Sequence, residues 1–199
     1  ATSKRVQSAL RREDVEVVPC GVDTELFQPG SRSEARRDLG LPAGVPLVLF
    51  AGMKRPEKRF DLVEAAMAEL TRNVPEAQLV VAESEPHERM PLFLNACDVL
   101  ILASQAEGSP MVIKEAMACN LPIVSVDVGD VAEVTHGTRG RYITDAEPDA
   151  LGRALATALS ERDRTDGRGS VMSLSLDAIA ERLEKIYRDM AAGRSQHTI

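Results

Sequence analysis

The chain has 199 residues, 44% of them hydrophobic, and a formal net charge of -7. That length and composition suit one domain with a full core, and the net acidity excludes a basic footprint over the whole surface of the kind nucleic acids or anionic membranes select. The three cysteines, Cys20, Cys97 and Cys119, are odd in number, far apart and set in apolar runs. They read as small core residues of a cytoplasmic, reducing compartment rather than as disulfides or metal ligands.

In chain order, the opening "ATSKRVQSALRRED" has helical spacing with Lys4, Arg5, Arg11 and Arg12 on its polar side. It lacks both the apolar segment of a secretory signal and the strand that opens an α/β domain, so residues 1–14 are expected to be a linker or the end of a preceding domain. Apolar runs rich in β-branched residues then alternate with helical patterns. The strand candidates are "VEVVP" (Val15 to Pro19), "PLVLFAG" (Pro46 to Gly52), "AQLVVAE" (Ala77 to Glu83), "DVLILAS" (Asp98 to Ser104), "PIVSVD" (Pro122 to Asp127) and "RYIT" (Arg141 to Thr144). The helical segments are "SEARRDLG", "FDLVEAAMAELTRN", "RMPLFLNAC", "PMVIKEAMAC", "EPDALGRALATALSER" and "LDAIAERLEKIYRDM". The alternation predicts a Rossmann-like, doubly wound parallel sheet over residues 15–162. Residues 163–199 are expected to be a loop, Arg162 to Ser170, then a terminal helix whose polar tail "AAGRSQHTI" frays.

Ligands of open parallel sheets bind beyond the carboxyl ends of the strands, so the loops after the strands are where chemistry is expected. After the second strand candidate comes "GMKRPEKRFD", in which Gly52 lets the chain turn and Lys54, Arg55, Lys58 and Arg59 precede a helix start. By itself this is more often a solvated basic loop than a phosphate site. After the fourth comes "SQAEGSPMVIKEAMAC". Here Ser109 is placed to cap the helix and Pro110 to occupy its first position, leaving Asp61 as the cap or first-turn acid of the earlier helix. The helix after Pro110 is apolar almost all round, which makes Glu115 a buried carboxylate in need of a partner. Lys114 points elsewhere around the helix; an unseen cation or ligand hydroxyls remain as partners. Glu107 lies at the mouth of the same helix, near Gly108 and the open amides of Met111 and Val112.

Taken together and in order, "VVPCGVDTELFQP", "VLFAGMKRPEKRFDLVEAA", "DVLILASQAEGSPMVIKEAMACNLPIVSVDVGDVAEV" and "GRYITDAEPDALGRALATAL" resemble the C-terminal, donor-binding half of GT-B retaining glycosyltransferases. These are the glycosyl transferases of group 1, similar to sucrose synthases and mannosyltransferases. The resemblance runs from about Val15 to Leu159. It implies a domain that binds a nucleoside diphosphate sugar as substrate, with no tightly bound cofactor and no metal. By the same implication Glu107 lies by the donor sugar, Glu115 on the ribose hydroxyls and Lys58 on the diphosphate. Gly52, Lys54, Arg55, Gly108, Ser109, Met111 and Val112 complete the pocket, and the turn Gly21 to Asp23 lies at the cleft between domains. The implied partner is an N-terminal acceptor domain outside this chain. The full-length enzyme would have room for peripheral association with a membrane, and no nucleic acid is implied.

The chain departs from the family pattern at three places. Met53 stands where an Arg follows the loop glycine, Arg59 where a Gly often follows the Lys, and only seven residues, Glu83 to Arg89, connect strand to helix where the family has a further helix and strand. His87, His136 and His197 read as solvated residues. Two rival readings are a nucleotide-sugar epimerase of the same fold and a non-catalytic nucleotide-binding module. The first needs acid and base groups near the sugar, where Glu107 alone stands; the second lacks a G-x-G-x-x-G after its first strand.

Overall fold

The computed structural model describes residues 2–10, 16–161 and 164–195. Its elements are, in order, α1 (Lys4–Ala9), α2 (Arg32–Asp38), β1 (Leu47–Ala51), α3 (Phe60–Thr71), β2 (Gln78–Ala82), α4 (Met90–Ala96), β3 (Val99–Leu102), α5 (Met111–Ala118), β4 (Ile123–Val126), α6 (Val131–Val134), β5 (Arg141–Thr144), α7 (Pro148–Glu161), α8 (Gly167–Val171) and α9 (Leu176–Ser195). The five strands form one sheet in the order β2-β1-β3-β4-β5, each neighbouring pair parallel. From β1 the chain steps to one side to make β2, then crosses back to lay β3 on the other side. The strand order therefore reverses between β1 and β3, and a crevice opens beyond their carboxyl ends.

The core explains why β3 and β4 read as unbroken apolar runs. Every residue of Val99–Leu102 and Ile123–Val126 is buried, because helices cover both faces of the sheet. On one face α3 packs against α7, and Gly152 sits at their contact: a β-carbon there would come within 2.6 Å of Glu69 Cβ and 3.2 Å of the Ala66 carbonyl oxygen. A mid-helix glycine ordinarily weakens its helix; here it permits the close approach. Gly152→Ala is expected to lower stability by about 1–2 kcal/mol, the strain of overpacking exceeding alanine's better helix propensity. The midpoint of a urea melt measures it, and a midpoint at or above the parent's would show that α7 can shift outward without cost.

The amino end of the sheet is closed by a buried cation. Arg36 gives its Nε hydrogen to the Ala96 carbonyl, Nη1 to the carbonyls of Pro42, Ala43 and Val45, and Nη2 to Asp98 Oδ2 at 2.7 Å. The same carboxylate oxygen accepts the Leu47 amide, and Arg32 closes on Oδ1. These bonds hold the loop before β1 to the start of β3.

The structure differs from the sequence reading at the two ends. Residues 16–19 of the expected strand "VEVVP" form no strand, and Val15 lies outside the described residues. The segment is drawn instead to the C-terminal region: Val22 bridges to Ser175, Arg182 donates to the Val17 carbonyl, and a β-carbon on Gly21 would meet Leu176 Cα at 3.2 Å. The expected loop Arg162 to Ser170 is helical from Gly167, where α8 begins; Arg162 and Asp163 fall outside the described residues. Tertiary contact overrides glycine's weak helix propensity here. Gly167 lies on the backbone of Met117, and the Arg168 guanidinium binds the carbonyls of Thr24, Phe27 and Ala118. The tail is helical through Ser195. Arg11, Arg12 and His197 also lie outside the described residues. Among the described residues no helix is long and apolar enough to cross a membrane.

Candidate functional site

The loops after β1 and β3 meet at the switch point. The Gln105 amide donates to the Glu57 carbonyl at 2.8 Å, tying the two loops backbone to backbone. Lys58 Nζ then reaches Glu107 Oε1 at 2.6 Å, a pair that is partly buried on both sides. Gly52, at φ +136, supplies the turn off β1 that no side chain readily adopts. Two residues chosen from sequence, forty-nine apart, thus form one ion pair at the place where parallel sheets bind ligands.

The other basic residues of the loop do not converge on that point. Lys54 places its ammonium 4.3 Å over the Phe60 ring and donates its amide to Glu83. Arg55 lies against Met53 Sδ, so its guanidinium rests where the sequence substitutes methionine for arginine. Arg59 pairs with Asp61 in the first turn of α3 and holds a left-handed backbone, φ +49. That conformation is cheap for glycine and strained for other residues, which gives the departure at Arg59 a physical meaning.

On the far side of the crevice α5 begins. Its N-cap is Pro110, with no side-chain cap. The expectation that Ser109 caps the helix and Pro110 occupies its first position is therefore corrected: the Ser109 hydroxyl donates instead to Asp130 Oδ2 at 2.5 Å. Without a capping side chain, the amides of Met111 and Val112 stay at the positive end of the helix dipole. Gly108 lies beside them and under α1, where its β-carbon would touch Thr2.

A turn and a half into α5, Glu115 is buried, as its apolar surroundings imply. Facing it is His87 Nδ1, 3.9 Å from Glu115 Oε1, whose ring also stacks edge-on against Phe27. His87 is exposed, as the sequence reading has it, and the short connection from β2 to α4 brings its ring to the edge of the buried carboxylate. Burial pushes the Glu115 carboxyl above the ordinary glutamate range, and the His87 imidazole opposes that shift.

A raised folded-state pKa means that the protonated form stabilises the fold. The contribution is complete below the ordinary glutamate value and is lost as pH rises through the raised one. Glu115→Gln, neutral throughout, is therefore expected to gain on the parent as pH climbs from about 4.5 to neutrality. Denaturant melts at stepped pH read this directly, and a constant offset between the two proteins would contradict it.

Beside these lie two residues to which the sequence reading gives no role, Lys114 being weighed there only as a partner for Glu115. Lys114 is completely buried, donating to Ser109, and Asp130 comes in from the loop after β4. The available signal was a lysine, next to Glu115, in a helix apolar at its other positions. A cleft of about 640 Å³, lined in part by Arg32, Arg36, Glu76 and Asp98, lies instead at the amino end of the sheet. Its inner charges already satisfy one another, and it is remote from the switch point.

The sheet order and the crevice at its reversal define a Rossmann-like domain, and the cation–carboxylate pair lies at the carboxyl ends of β1 and β3, facing a helix start. The family follows from comparison: residues 85–161 match the model described as glycosyl transferases group 1. The chain resembles the group 1 glycosyltransferases and has the α/β fold of the C-terminal half of a GT-B enzyme. It is 30% identical over 186 residues to the D-inositol 3-phosphate glycosyltransferase of Nocardia farcinica, covering 77% of this chain and 41% of that one. Sucrose-phosphate synthase from Thermosynechococcus elongatus superposes with TM-score 0.82 at 25% identity, over 97% of this chain and 58% of that one. HepE of Anabaena, solved in complex with UDP-glucose, shares the fold at TM-score 0.74 and 20% identity, over 95% and 63% of the two chains. The chain spans about half the length of the curated relatives it matches.

Proposed function

We propose that this domain holds the donor of a retaining glycosyltransferase, which moves a hexose from a nucleoside diphosphate sugar to an acceptor hydroxyl. The observation that carries the reading is the Lys58–Glu107 pair at the switch point, opposite the uncapped start of α5. An ammonium and a set of helix-terminal amides converging from two sides suit a diphosphate, and they stabilise the charge that develops on it as the sugar leaves. Glu107 would then lie by the sugar and Glu115, further along α5, by the ribose hydroxyls. The relatives support the same reading: they are named as glycosyltransferases, and the HepE structures are complexes with UDP or UDP-glucose.

The acceptor hydroxyl, on this reading, is brought by the part of the enzyme that lies outside residues 1–199, so that these residues retain donor and transfer nothing. Equilibrium dialysis against labelled UDP-, GDP- and ADP-hexoses tests both halves of the proposal. At least one donor is expected to be retained, with no labelled product on a panel of acceptor alcohols and sugars. If none is retained the donor assignment fails. Robust transfer by this chain would overturn the division of labour, whereas slow release of free sugar fits water entering an open crevice.

A further inference from the structure

Beneath the loop that opens α5 lies a buried ionic cluster that the ligand-facing chemistry leaves unexplained. Lys114 is 0% exposed, and its ammonium donates to the Ser109 hydroxyl. That hydroxyl donates to Asp130 Oδ2, which lies 3.7 Å from the same ammonium. Asp130 is itself buried, and its Oδ1 has no hydrogen-bond partner among the described residues. A methionine would fill the lysine's space, and burying an ion pair in place of apolar side chains seldom adds stability. Packing alone therefore does not account for the two charges.

What the cluster does is join three segments that the site needs in register. Lys114 belongs to α5, Ser109 to the loop carrying Glu107, and Asp130 to the loop after β4. A second contact clamps the same two loops. Gly129 holds φ +59, and a β-carbon on it would stand 2.9 Å from the Gly108 carbonyl oxygen and 3.2 Å from that of Glu107. The carbonyls of Glu107 and Gly108 are thus backed by the β4 loop, and the residue between Gly108 and Pro110 is bonded from below.

We propose that Lys114 is a positioning residue: through Ser109 and Asp130 it fixes the Glu107–Pro110 loop so that Glu107 meets Lys58 and the first amides of α5 stay open to a diphosphate. The inference rests on the donor-binding reading above for its ligand, although not for its geometry. Being fully buried, Lys114 cannot touch a ligand in this arrangement, and its effect on binding passes through the loop.

The test uses the whole chain and the variant Lys114→Met combined with Asp130→Asn, which removes both charges at nearly constant volume. The single variant Lys114→Met leaves a buried carboxylate unpaired and can fail to fold, so the double variant decides. It is expected to fold with a cooperative melt. Its amides from Gly108 to Val112 should exchange hydrogen about tenfold faster than the parent's, with strand amides unchanged, and it should bind UDP, GDP or ADP, whichever the parent binds best, about tenfold more weakly. Affinity for the corresponding nucleoside should not change, a pattern that general loss of stability would not give. A folded double variant with the parent's exchange at these amides overturns the proposal, as does parental diphosphate affinity alongside faster exchange. If the parent binds no diphosphate, the donor reading fails, and the exchange rates alone still decide the positioning role.

Discussion

Replacing Lys58 by alanine is expected to lower affinity for a nucleoside diphosphate by about 10- to 100-fold and to leave affinity for the matching nucleoside as in the parent. The magnitude is that of one charge-assisted hydrogen bond, about 1.5–3 kcal/mol. The loss has a second part. Lys58 neutralises Glu107 across 2.6 Å, and without it a partly buried carboxylate faces the incoming anion. Lys58→Ala combined with Glu107→Ala should therefore recover part of the affinity that the single change removes. Calorimetric titration of the three proteins measures this coupling. Equal losses for nucleoside and diphosphate would mean that the lysine supports the fold rather than the phosphates.

Glu115→Ala is expected to have the second large effect, a similar loss of about 10- to 100-fold, or about 1.5–3 kcal/mol, for diphosphate and nucleoside alike, because on the proposed reading Glu115 holds the ribose common to both. Glu107→Ala should cost less. Removing Glu107 frees the Lys58 ammonium for the diphosphate, which offsets whatever contact Glu107 itself makes. Removing Glu115 frees nothing comparable: its carboxylate is buried against His87, and an alanine leaves a gap in α5. Binding by Glu115→Ala that matches the parent for every nucleotide tried would remove Glu115 from the site.

The sheet was legible because parallel strands covered on both faces read as apolar runs, and β1, β3 and β4 have that signature. Of the candidate site, Lys58, Glu107 and Glu115 were picked out by the ordered resemblance rather than by local signal, since a cation after a strand is more often solvated and a carboxylate at a helix mouth is the ordinary complement of the helix dipole; the structure pairs Lys58 with Glu107 and buries Glu115. What failed was long-range. Ser109 fits a capping pattern, yet Asp130, twenty-one residues on, claims its hydroxyl. His87 is exposed as read, but its approach to Glu115 carries no local signal, since it depends on how β2 connects to α4. The strand expected at Val15 to Pro19 had the right residues, but the segment before α9 captures its neighbours. Lys114 was visible as an anomaly and was weighed only as a partner for Glu115, whereas its partners lie in two loops that sequence distance hides.

The central claim is that one nucleotide binds across the carboxyl ends of β1 and β3, its diphosphate between Lys58 and the start of α5. Calorimetric titration of the chain with UDP, GDP and ADP, each paired with its nucleoside, tests it most directly. The account predicts one bound nucleotide per chain for at least one base, with the diphosphate tighter than its nucleoside and the difference abolished by Lys58→Ala. Absence of binding for all three diphosphates, or a diphosphate preference that survives the loss of Lys58, would contradict it.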